Sequence, residues 1–391
     1  MKERKRILMV HNYYQLPGGE DTVVANEKKM LEERGHKVIL YTRNNNEIQG
    51  MNIFRKLLLP FAAIYNPRTA RDIKRIIKDE NIDIVHVHNT LSLISASVYY
   101  AALNMNKPVV QTVHNFRLLC PGATFYRDGH ICEECVQNGL GCAVKYNCYR
   151  GSKIQTLVCV IATMVHRMTG VYGKINYICL TEFNRNKLLG LRQVRPNRVF
   201  VKPNFVEPPA SACIKTEDFI FVGRLEEIKG IMDLLKAWER MGEQAPVLNI
   251  CGTGPLLRQC RAYIRKNTLK KVNLLGFVDH EVVKDLIGKS KYLILPTRVY
   301  EGFPLTVVEA FSAGTAVIVP DMGNTGDLVK DGINGFKFKS FSIESLTDCI
   351  YKAISKKVDL KDAAYEEYST KYTAAINIKM LEKIYRIVEK A

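Results

Sequence analysis

The stretch from residue 291 to residue 321, KYLILPTRVYEGFPLTVVEAFSAGTAVIVPD, shows the pattern that decides the fold. It begins with a short apolar run, passes through a loop into a segment of helical period, and ends in a second apolar run. Val307, Ala310 and Phe311 share one face of the middle segment, as in an amphipathic helix. Continuous apolar strands that alternate with helices are typical of parallel sheets covered on both faces.

The same alternation runs from end to end of the chain, in two sets. The first set of predicted strands is RILMVHN, KVILYTR, IDIVHVHN, PVVQTVHN, NYICLT and RVFVKPN, and the second is FIFVGRL, PVLNICG, VNLLGF, KYLILPT and TAVIVPD. A length of 391 residues also exceeds what one core usually serves. We therefore predict an α/β fold with two Rossmann-like, doubly wound domains that face each other across a cleft. The joint between them is expected in residues 202–218, which are rich in proline and small residues.

The charge of the chain is concentrated in its first half. Residues 1–205 hold 30 Lys and Arg against 15 Asp and Glu, within a net charge of +18 for the whole chain. Such a field favours polyanions, either nucleic acid or an anionic membrane, although a basic protein with neither partner is the alternative. We expect no nucleic acid, because no platform of aromatic and basic residues is evident. Residues 54–78 combine seven basic side chains with an apolar run, which predicts peripheral attachment to anionic lipid; an ordinary core helix with a basic face is the alternative.

Two features of the sequence bear on the cellular location. No signal-peptide pattern follows the basic start of the chain, and the longest apolar stretch, residues 156–165, is too short to span a bilayer. We therefore expect a cytoplasmic protein, peripheral on the inner face of the plasma membrane.

Glycine turns and charged residues follow several predicted strands. Glu301 lies in a loop and Glu309 in the early turns of the next helix, where backbone N–H groups favour phosphate or sugar hydroxyls. Arg224 and Lys229 provide two cations that can converge on one anion. Further glycine turns occur in LPGGED, residues 16–21, and CGTGP, residues 251–255. Because ligands bind at the carboxyl ends of parallel strands, this pattern predicts a site for a nucleotide diphosphate, whereas the alternative for the glutamates is an ordinary place near a helix start.

The motifs resemble those of a known family. EGFPLTVVE resembles the E-x7-E signature of retaining glycosyltransferases with the GT-B fold, in particular glycosyltransferase family 4. PGGED, GRLEEIKG, CGTGP, LGFV and DGINGF occur in the family's order. The resemblance implies an acceptor-binding domain over residues 1–205, a donor-binding domain over 206–370, and a helix within 371–391 that packs back on the first domain. It also implies transfer of a sugar from a nucleotide diphosphate to a hydroxyl, with retention of configuration and without a catalytic cofactor.

The resemblance assigns roles to individual residues. Glu309 would bind the ribose, Arg224 and Lys229 would neutralise the leaving diphosphate, and the backbone at Val278 would meet the base, most often that of UDP in this family. His114 would lie beside the transferred sugar, with a histidine at a strand end as the alternative. The implied catalytic residues are His114, Arg224, Lys229 and Glu301; the implied donor-binding residues are Gly18, Gly19, Gly252, Gly254, Val278, Gly302, Phe303, Pro304, Leu305 and Glu309.

The acceptor and two other function classes remain open from the sequence. We expect the acceptor to be a lipid-linked glycan intermediate of cell-surface polysaccharide synthesis. A nucleotide-sugar epimerase would share the architecture but need no acceptor, and an idle GT-B binding subunit would keep the fold without the cations. The chain departs from the family at Phe205, at Ala316 and at residues 324–327, which puts local loop geometry in doubt.

The segment from residue 120 to residue 148 contains five of the eleven cysteines. Cys132 and Cys135 have the C-x2-C spacing of a zinc knuckle, and Cys120 and Cys148 lie at similar distances on either side. These four residues predict a structural zinc site, with Cys142 as a spare ligand. Free buried thiols and disulfides are the other interpretations, and a reducing cytosol disfavours the disulfides.

Overall fold

The computed structural model describes residues 4–15, 18–209, 213–355 and 359–390. The first two residues of the LPGGED motif and residues 210–212 of the predicted joint lie outside this range. Contacts within the chain define two compact units. The first comprises Met1–Phe125, Cys132–Asn204 and Asn377–Ala391, and the second comprises Tyr126–Ile131 and Phe205–Ile376.

The strands are β1 Arg6–Tyr13, β2 Lys37–Asn44, β3 Ile84–Asn89, β4 Val109–Val113, β5 Tyr126–Arg127, β6 His130–Ile131, β7 Asn176–Cys179, β8 Val199–Val201, β9 Phe219–Val222, β10 Leu248–Cys251, β11 Val272–Gly276, β12 Tyr292–Ile294, β13 Ala316–Pro320 and β14 Gly335–Phe338. The helices are α1 Gly19–Glu33, α2 Ile53–Ile64, α3 Pro67–Asp79, α4 Ser97–Leu103, α5 Glu134–Gln137, α6 Gly141–Lys145, α7 Lys153–Met168, α8 Glu182–Leu189, α9 Ile231–Met241, α10 Leu257–Lys266, α11 His280–Lys289, α12 Leu305–Ser312, α13 Gly323–Leu328, α14 Ile343–Ser355, α15 Lys361–Lys371 and α16 Ala374–Val388.

The first unit is built on a six-stranded sheet in the order β2-β1-β3-β4-β7-β8. All its strand pairs are parallel, and Leu8 of β1 lies between Ile39 of β2 and Val85 of β3. The apolar residues of β1, β3 and β4 are buried, because helices cover both faces of a parallel sheet. The carboxyl ends of these strands place polar residues at one edge of the sheet.

The second unit has its own parallel sheet in the order β11-β10-β9-β12-β13-β14. Separate apolar clusters form its core, one including Trp238 of α9 and the other including Phe311 of α12. Trp238 meets Phe219 of β9 edge to face, with ring centroids 6.0 Å apart. The prediction of an α/β fold with two Rossmann-like, parallel-sheet domains is confirmed.

The cysteine-rich segment forms a short hairpin, β5 and β6, followed by α5 and α6. The segment has few large apolar residues, so it cannot form a core of its own. In the structure, Cys135, Leu140 and Ala143 instead form a small buried cluster with Val160 of α7. The long helix α7 therefore supplies the apolar surface that the segment lacks.

The carboxy-terminal helix α16 belongs to the first unit from Asn377 onward. Tyr385 of this helix is fully buried, and its hydroxyl lies 2.7 Å from Nδ1 of His86 on β3. Lys202, which is also buried, lies 3.4 Å from Glu27 and donates to Oδ1 of Asn377 at 3.0 Å. A buried charge is stable only when it is paired and hydrogen-bonded, so this polar cluster fixes α16 against the first sheet.

Candidate functional site

The PGGED motif leads into α1 of the first unit, and Asp21 anchors it. The Asp21 carboxylate accepts from the backbone N–H of Gly18 at 2.9 Å and lies 2.8 Å from Nε2 of His11, at the end of β1. A Cβ at Gly18 would meet no atom within 4 Å, so its glycine is not required by packing within the structure. The motif therefore holds the start of α1 in a fixed position, and Gly18 and Gly19 are exposed there.

Glu20 has an unusual electrostatic environment. Burial, and secondarily the charge of Asp21, raises the pKa of Glu20 to about 8, while Arg117 and a hydrogen bond from Asn89 act in the opposite direction. The amide of Asn89 donates to Glu20 at 3.2 Å and to the carbonyl of Asn12 at 2.8 Å. Glu20 is thus a carboxyl group that still carries a proton near neutral pH. The sequence analysis did not single it out, because the glycines alone carried the interpretation of this turn.

His114 lies half-buried just beyond β4, next to the buried imidazoles of His88 and His86. Its Nε2 is 3.0 Å from Nδ1 of His88, and the His88 ring lies 4.5 Å from that of His86. Burial lowers the pKa of His114 to about 3 and that of His86 to about 4, and it lowers the pKa of His88 well below its usual range. All three rings are therefore neutral at physiological pH.

A cavity of about 100 Å³ opens beside these rings, within the first unit. His88, His114 and Arg117 line it from the strand ends, and Thr163 and His166 line it from α7. Since α7 also contributes Cys159 and Ala162, the cavity has both polar and apolar walls at the carboxyl ends of the strands, where ligands bind in parallel sheets.

The predicted diphosphate site lies in the second unit. Lys229 follows β9, and its Nζ lies 2.7 Å and 3.0 Å from the two carboxylate oxygens of Glu301, in the loop before α12. Arg224 pairs with Glu226 on the same segment as Lys229. The structure thus brings Lys229 and Glu301 together, whereas the guanidinium of Arg224 remains half exposed.

Asn324 is a residue of this site that the sequence analysis named only as a departure from the family. It is completely buried at the start of α13, and its amide donates to the backbone carbonyl oxygens of Glu301 and Gly302, the latter at 2.9 Å. Asn324 therefore holds the Glu301 loop in place by these two hydrogen bonds. The sequence shows an asparagine shortly after a predicted strand. It does not show which residues this asparagine contacts, because they lie more than 20 positions away.

The glycine turns of the second unit pack against one another. A Cβ at Gly252 would lie 1.9 Å from the carbonyl oxygen of Gly223, and one at Gly254 would lie 2.6 Å from that of Leu225. Only glycine fits at these two positions. Packing therefore requires both glycines of CGTGP, whether or not they also contact a ligand.

Glu309 lies on α12 with its side chain largely buried. Burial raises the pKa of Glu309, while His280, whose Nε2 is 4.0 Å from the carboxylate, and Lys284 lower it. Val278 lies in the loop between β11 and α11, partly buried against the same apolar cluster as Phe303 and Leu305. Pro304 directly precedes α12 as its N-cap residue.

Among the residues that the structure describes, none of the five cysteines of the insert forms a disulfide. Burial, followed by the nearby thiols of Cys120 and Cys148, raises the pKa of Cys135 to about 12. Over the described ranges, two groups have three side chains at metal-ligand spacing: Glu27 with His86 and His88, and His11 with Glu20 and Asp21. Neither group includes a cysteine, so the zinc site at Cys120, Cys132, Cys135 and Cys148 stays a prediction.

Comparisons with known proteins agree with this architecture. Residues 213–372 match the family model "Glycosyl transferases group 1", and residues 17–130 match "Glycosyltransferase Family 4". The gpi3 subunit of the phosphatidylinositol N-acetylglucosaminyltransferase of Schizosaccharomyces pombe is 24% identical over 95% of this chain and 78% of its own length.

Two solved structures share the fold. A glycosyltransferase from Rickettsia africae has a TM-score of 0.71 at 18% identity and covers 100% of both chains. HepE of Anabaena, solved in complex with UDP, has a TM-score of 0.66 at 16% identity and covers 97% of this chain and 100% of its own.

The fold and the matched family models together define a sugar-transferring enzyme of the GT-B type. The chain belongs to the glycosyltransferases of family 4. In the described part of the chain, no helix is both long enough and apolar enough to cross a membrane.

Proposed function

We propose that the protein is a retaining glycosyltransferase that moves a sugar from a nucleotide diphosphate sugar to a hydroxyl of a lipid-linked glycan intermediate. The observation that carries this proposal is the contact between Lys229 and Glu301, which places a cation and a carboxylate together at the strand ends of the second unit. The presence of UDP in the HepE structure supports a nucleotide donor.

In this proposal the second unit binds the donor. Lys229 and Arg224 stabilise the departing diphosphate electrostatically. The backbone N–H groups of Gly302, Phe303 and Leu305 face the same anion at the start of α12, where Pro304, which has no N–H, is the N-cap residue. Glu309 accepts hydrogen bonds from the ribose, and the backbone at Val278 meets the base. Because the diphosphate is already a good leaving group, these fixed charges suffice without a catalytic metal.

The first unit is proposed to bind the acceptor. Its cavity beside His114 combines polar strand ends with a mixed side of α7, where Cys159 and Ala162 lie beside Thr163 and His166. The Schizosaccharomyces pombe relative is a subunit of a phosphatidylinositol N-acetylglucosaminyltransferase, which supports a lipid-linked acceptor here.

A membrane surface is proposed next to this cavity. We call it the apolar face, and it consists of two exposed stripes: Ile53, Phe54, Leu57, Leu58 and Phe61 on α2, and Ile154, Leu157, Ile161, Met164 and Met168 on α7. Each of these side chains exposes between 40% and 76% of its surface. The helices lie together, since Nε2 of His166 on α7 is 3.0 Å from the carbonyl oxygen of Ile64 on α2.

The charges around the apolar face favour an anionic bilayer as its partner. Neither α2 nor α7 contains an acidic residue, and Arg55, Lys56 and Lys153 lie on them. Helix α3 adds Arg68, Arg71, Lys74, Arg75 and Lys78. We call these basic residues the basic rim. A second copy of the chain would place its own basic rim against this one, and the two would repel each other, whereas anionic lipid head groups attract the rim.

The experiment that tests the proposal is incubation with a panel of nucleotide sugars, with and without lipid-linked glycan acceptors, while nucleotide release is followed. We expect nucleotide release that depends on one donor and requires an acceptor, with the anomeric proton of the product showing the configuration of the donor. Conversion of the donor without an acceptor would indicate an epimerase instead. No turnover with any donor would favour a binding subunit.

A further inference from the structure

The geometry of the contact between His88 and His114 indicates which nitrogen of each ring carries the proton. His88 Nδ1 lies 3.0 Å from His114 Nε2, the ring planes differ by 20°, and the centroids are 5.2 Å apart. This centroid separation is close to the largest value that the N···N distance and the two ring radii allow. The two nitrogens therefore face each other nearly in the ring planes, which is the geometry of a hydrogen bond and not of a face-to-face stack.

One of the two neutral rings donates in this bond, and the surroundings decide which. His88 Nε2 is buried and has no hydrogen-bond partner among the residues that the structure describes. If His88 carried its proton on Nε2, a buried N–H would be left without an acceptor, which is rare and costly in folded proteins. If the proton is on Nδ1, the orphaned atom is an acceptor nitrogen, which is tolerated better.

A second imidazole, that of His11, shows a similar arrangement. His11 Nε2 faces the acceptor carboxylate of Asp21 at 2.8 Å and donates to it, while its Nδ1 is buried without a partner within the described ranges.

We propose that His88 is a positioning residue, which donates from Nδ1 to Nε2 of His114 and so holds His114 in the tautomer that carries its proton on Nδ1. The proposal rests on the proposed function in one respect, namely that His114 contacts the substrate. In this tautomer His114 offers its own Nδ1–H as a donor to an oxygen of the substrate, and it offers no base.

The rest of the environment keeps both rings neutral. Burial, followed by the charges of His86, His114, His11 and Lys202, lowers the pKa of His88, and one carboxylate, Glu27, lies within 4.8 Å of ligand atoms of His86 and His88. The backbone carbonyl of His88 accepts from the amide of Gln111 at 3.0 Å, which fixes the strand end. Because both rings are neutral, each can still exist in two tautomers. The hydrogen bond from His88 decides the tautomer of His114.

Two variants separate the donor from the shape of the ring. His88→Phe keeps a planar ring between His86 and His114 but has no N–H. His88→Asn places an amide N–H close to the position of imidazole Nδ1, so it can restore the donor with less volume.

The experiment uses full-length protein labelled with ¹⁵N in its histidines, whose protonated and unprotonated ring nitrogens resonate separately. His114→Gln identifies the signals of His114. We expect the parent protein and His88→Asn to show His114 protonated on Nδ1, and His88→Phe to lose this preference. A parent spectrum with the His114 proton on Nε2, or a Phe variant with an unchanged His114 spectrum, would overturn the proposal.

Kinetics separate this inference from the proposed function. We expect His88→Phe to lower kcat about tenfold, as for one lost hydrogen bond, with little change in the donor KM, and His88→Asn to recover most of kcat. A lost tautomer with unchanged turnover would leave the tautomer assignment supported and would contradict the place of His114 in the reaction.

Discussion

Lys229 and Glu301 form a bidentate ion pair, in which the lysine ammonium lies 2.7 Å and 3.0 Å from the two oxygens of the carboxylate. The residues are 72 positions apart and lie on loops after β9 and β12. The pair keeps the lysine extended toward the loop before α12, where the proposed diphosphate binds. The ammonium is thus positioned before a donor arrives, which lowers the cost of orienting it in the transition state.

The first prediction concerns the two cations. Lys229→Ala and Arg224→Ala should each lower the transfer rate by about two orders of magnitude, because each removes a fixed charge partner of the leaving diphosphate. Lys236→Ala, an exposed lysine on α9, is the matched control and should keep the parent rate. Steady-state transfer assays measure the effect. Parent rates in both cation variants would refute the diphosphate assignment.

The second prediction concerns Asn324. Its amide donates to two backbone carbonyl groups of the Glu301 loop, so Asn324→Ala should free the loop and lower kcat/KM for the donor by about tenfold to a hundredfold. Asn273→Ala, at an exposed asparagine on β11, is the control. Donor titrations check the effect, and thermal unfolding separates it from loss of fold. A variant with parent kcat/KM would show that the loop holds itself.

The third prediction is a pH dependence of stability. The folded state raises the pKa of Glu20 from its usual 4.5 to about 8, so between these values the folded protein binds more protons at Glu20 than the unfolded chain does. Stability from this group is fully present below pH 4.5 and is lost as the pH rises toward 8. Glu20→Gln should therefore remove a downward slope of Tm against pH over this window, whereas Glu33→Gln at an exposed position should not. Parallel Tm profiles for Glu20→Gln and the parent would contradict the raised pKa.

The fourth prediction concerns the membrane. The protein should sediment with anionic vesicles, and binding should weaken in high salt because the basic rim attracts the head groups. The double variant Leu57→Glu, Phe61→Glu should abolish sedimentation, while Ile214→Glu, at an apolar residue of the second unit that is 91% exposed, should not. No sedimentation of the parent, or binding that salt does not weaken, would count against the surface.

The fifth prediction concerns the cysteine segment. Protein purified without added metal should contain about one zinc per chain, and Cys132→Ser with Cys135→Ser should lose it. Cys213→Ser, at a half-buried thiol of the second unit, should retain the metal. Elemental analysis gives the answer. A metal-free protein with full activity and five titratable thiols in this segment would rule the site out.

The two parallel sheets were predictable from the sequence because each buried strand is a continuous apolar run, and such runs carry a strong local signal. The family was predictable because the E-x7-E motif and four glycine turns occur in order. The residue roles stay predictions. The hydrogen bonds of Asn324 were not predictable, since its partners, Glu301 and Gly302, depend on how two loops of the second sheet meet.

Burial explains what else the sequence did not indicate. The raised pKa of Glu20 results mainly from burial in the folded protein, and a sequence motif does not report burial. The apolar stripe on α7 was interpreted only as too short to span a bilayer. Its exposure became evident once the structure had placed the insert on the other side of that helix, against Val160.

The buried cluster of Lys202, Glu27, Asn377 and Tyr385 imposes an order on biosynthesis. Glu27 is synthesised about 350 residues before the partners on α16 that complete its surroundings. The amino-terminal sheet therefore emerges with an unfinished interior and must wait, through synthesis of the entire second sheet, for its last helix. A chaperone that shields this sheet during elongation would act on the first unit at a time when the second can already fold.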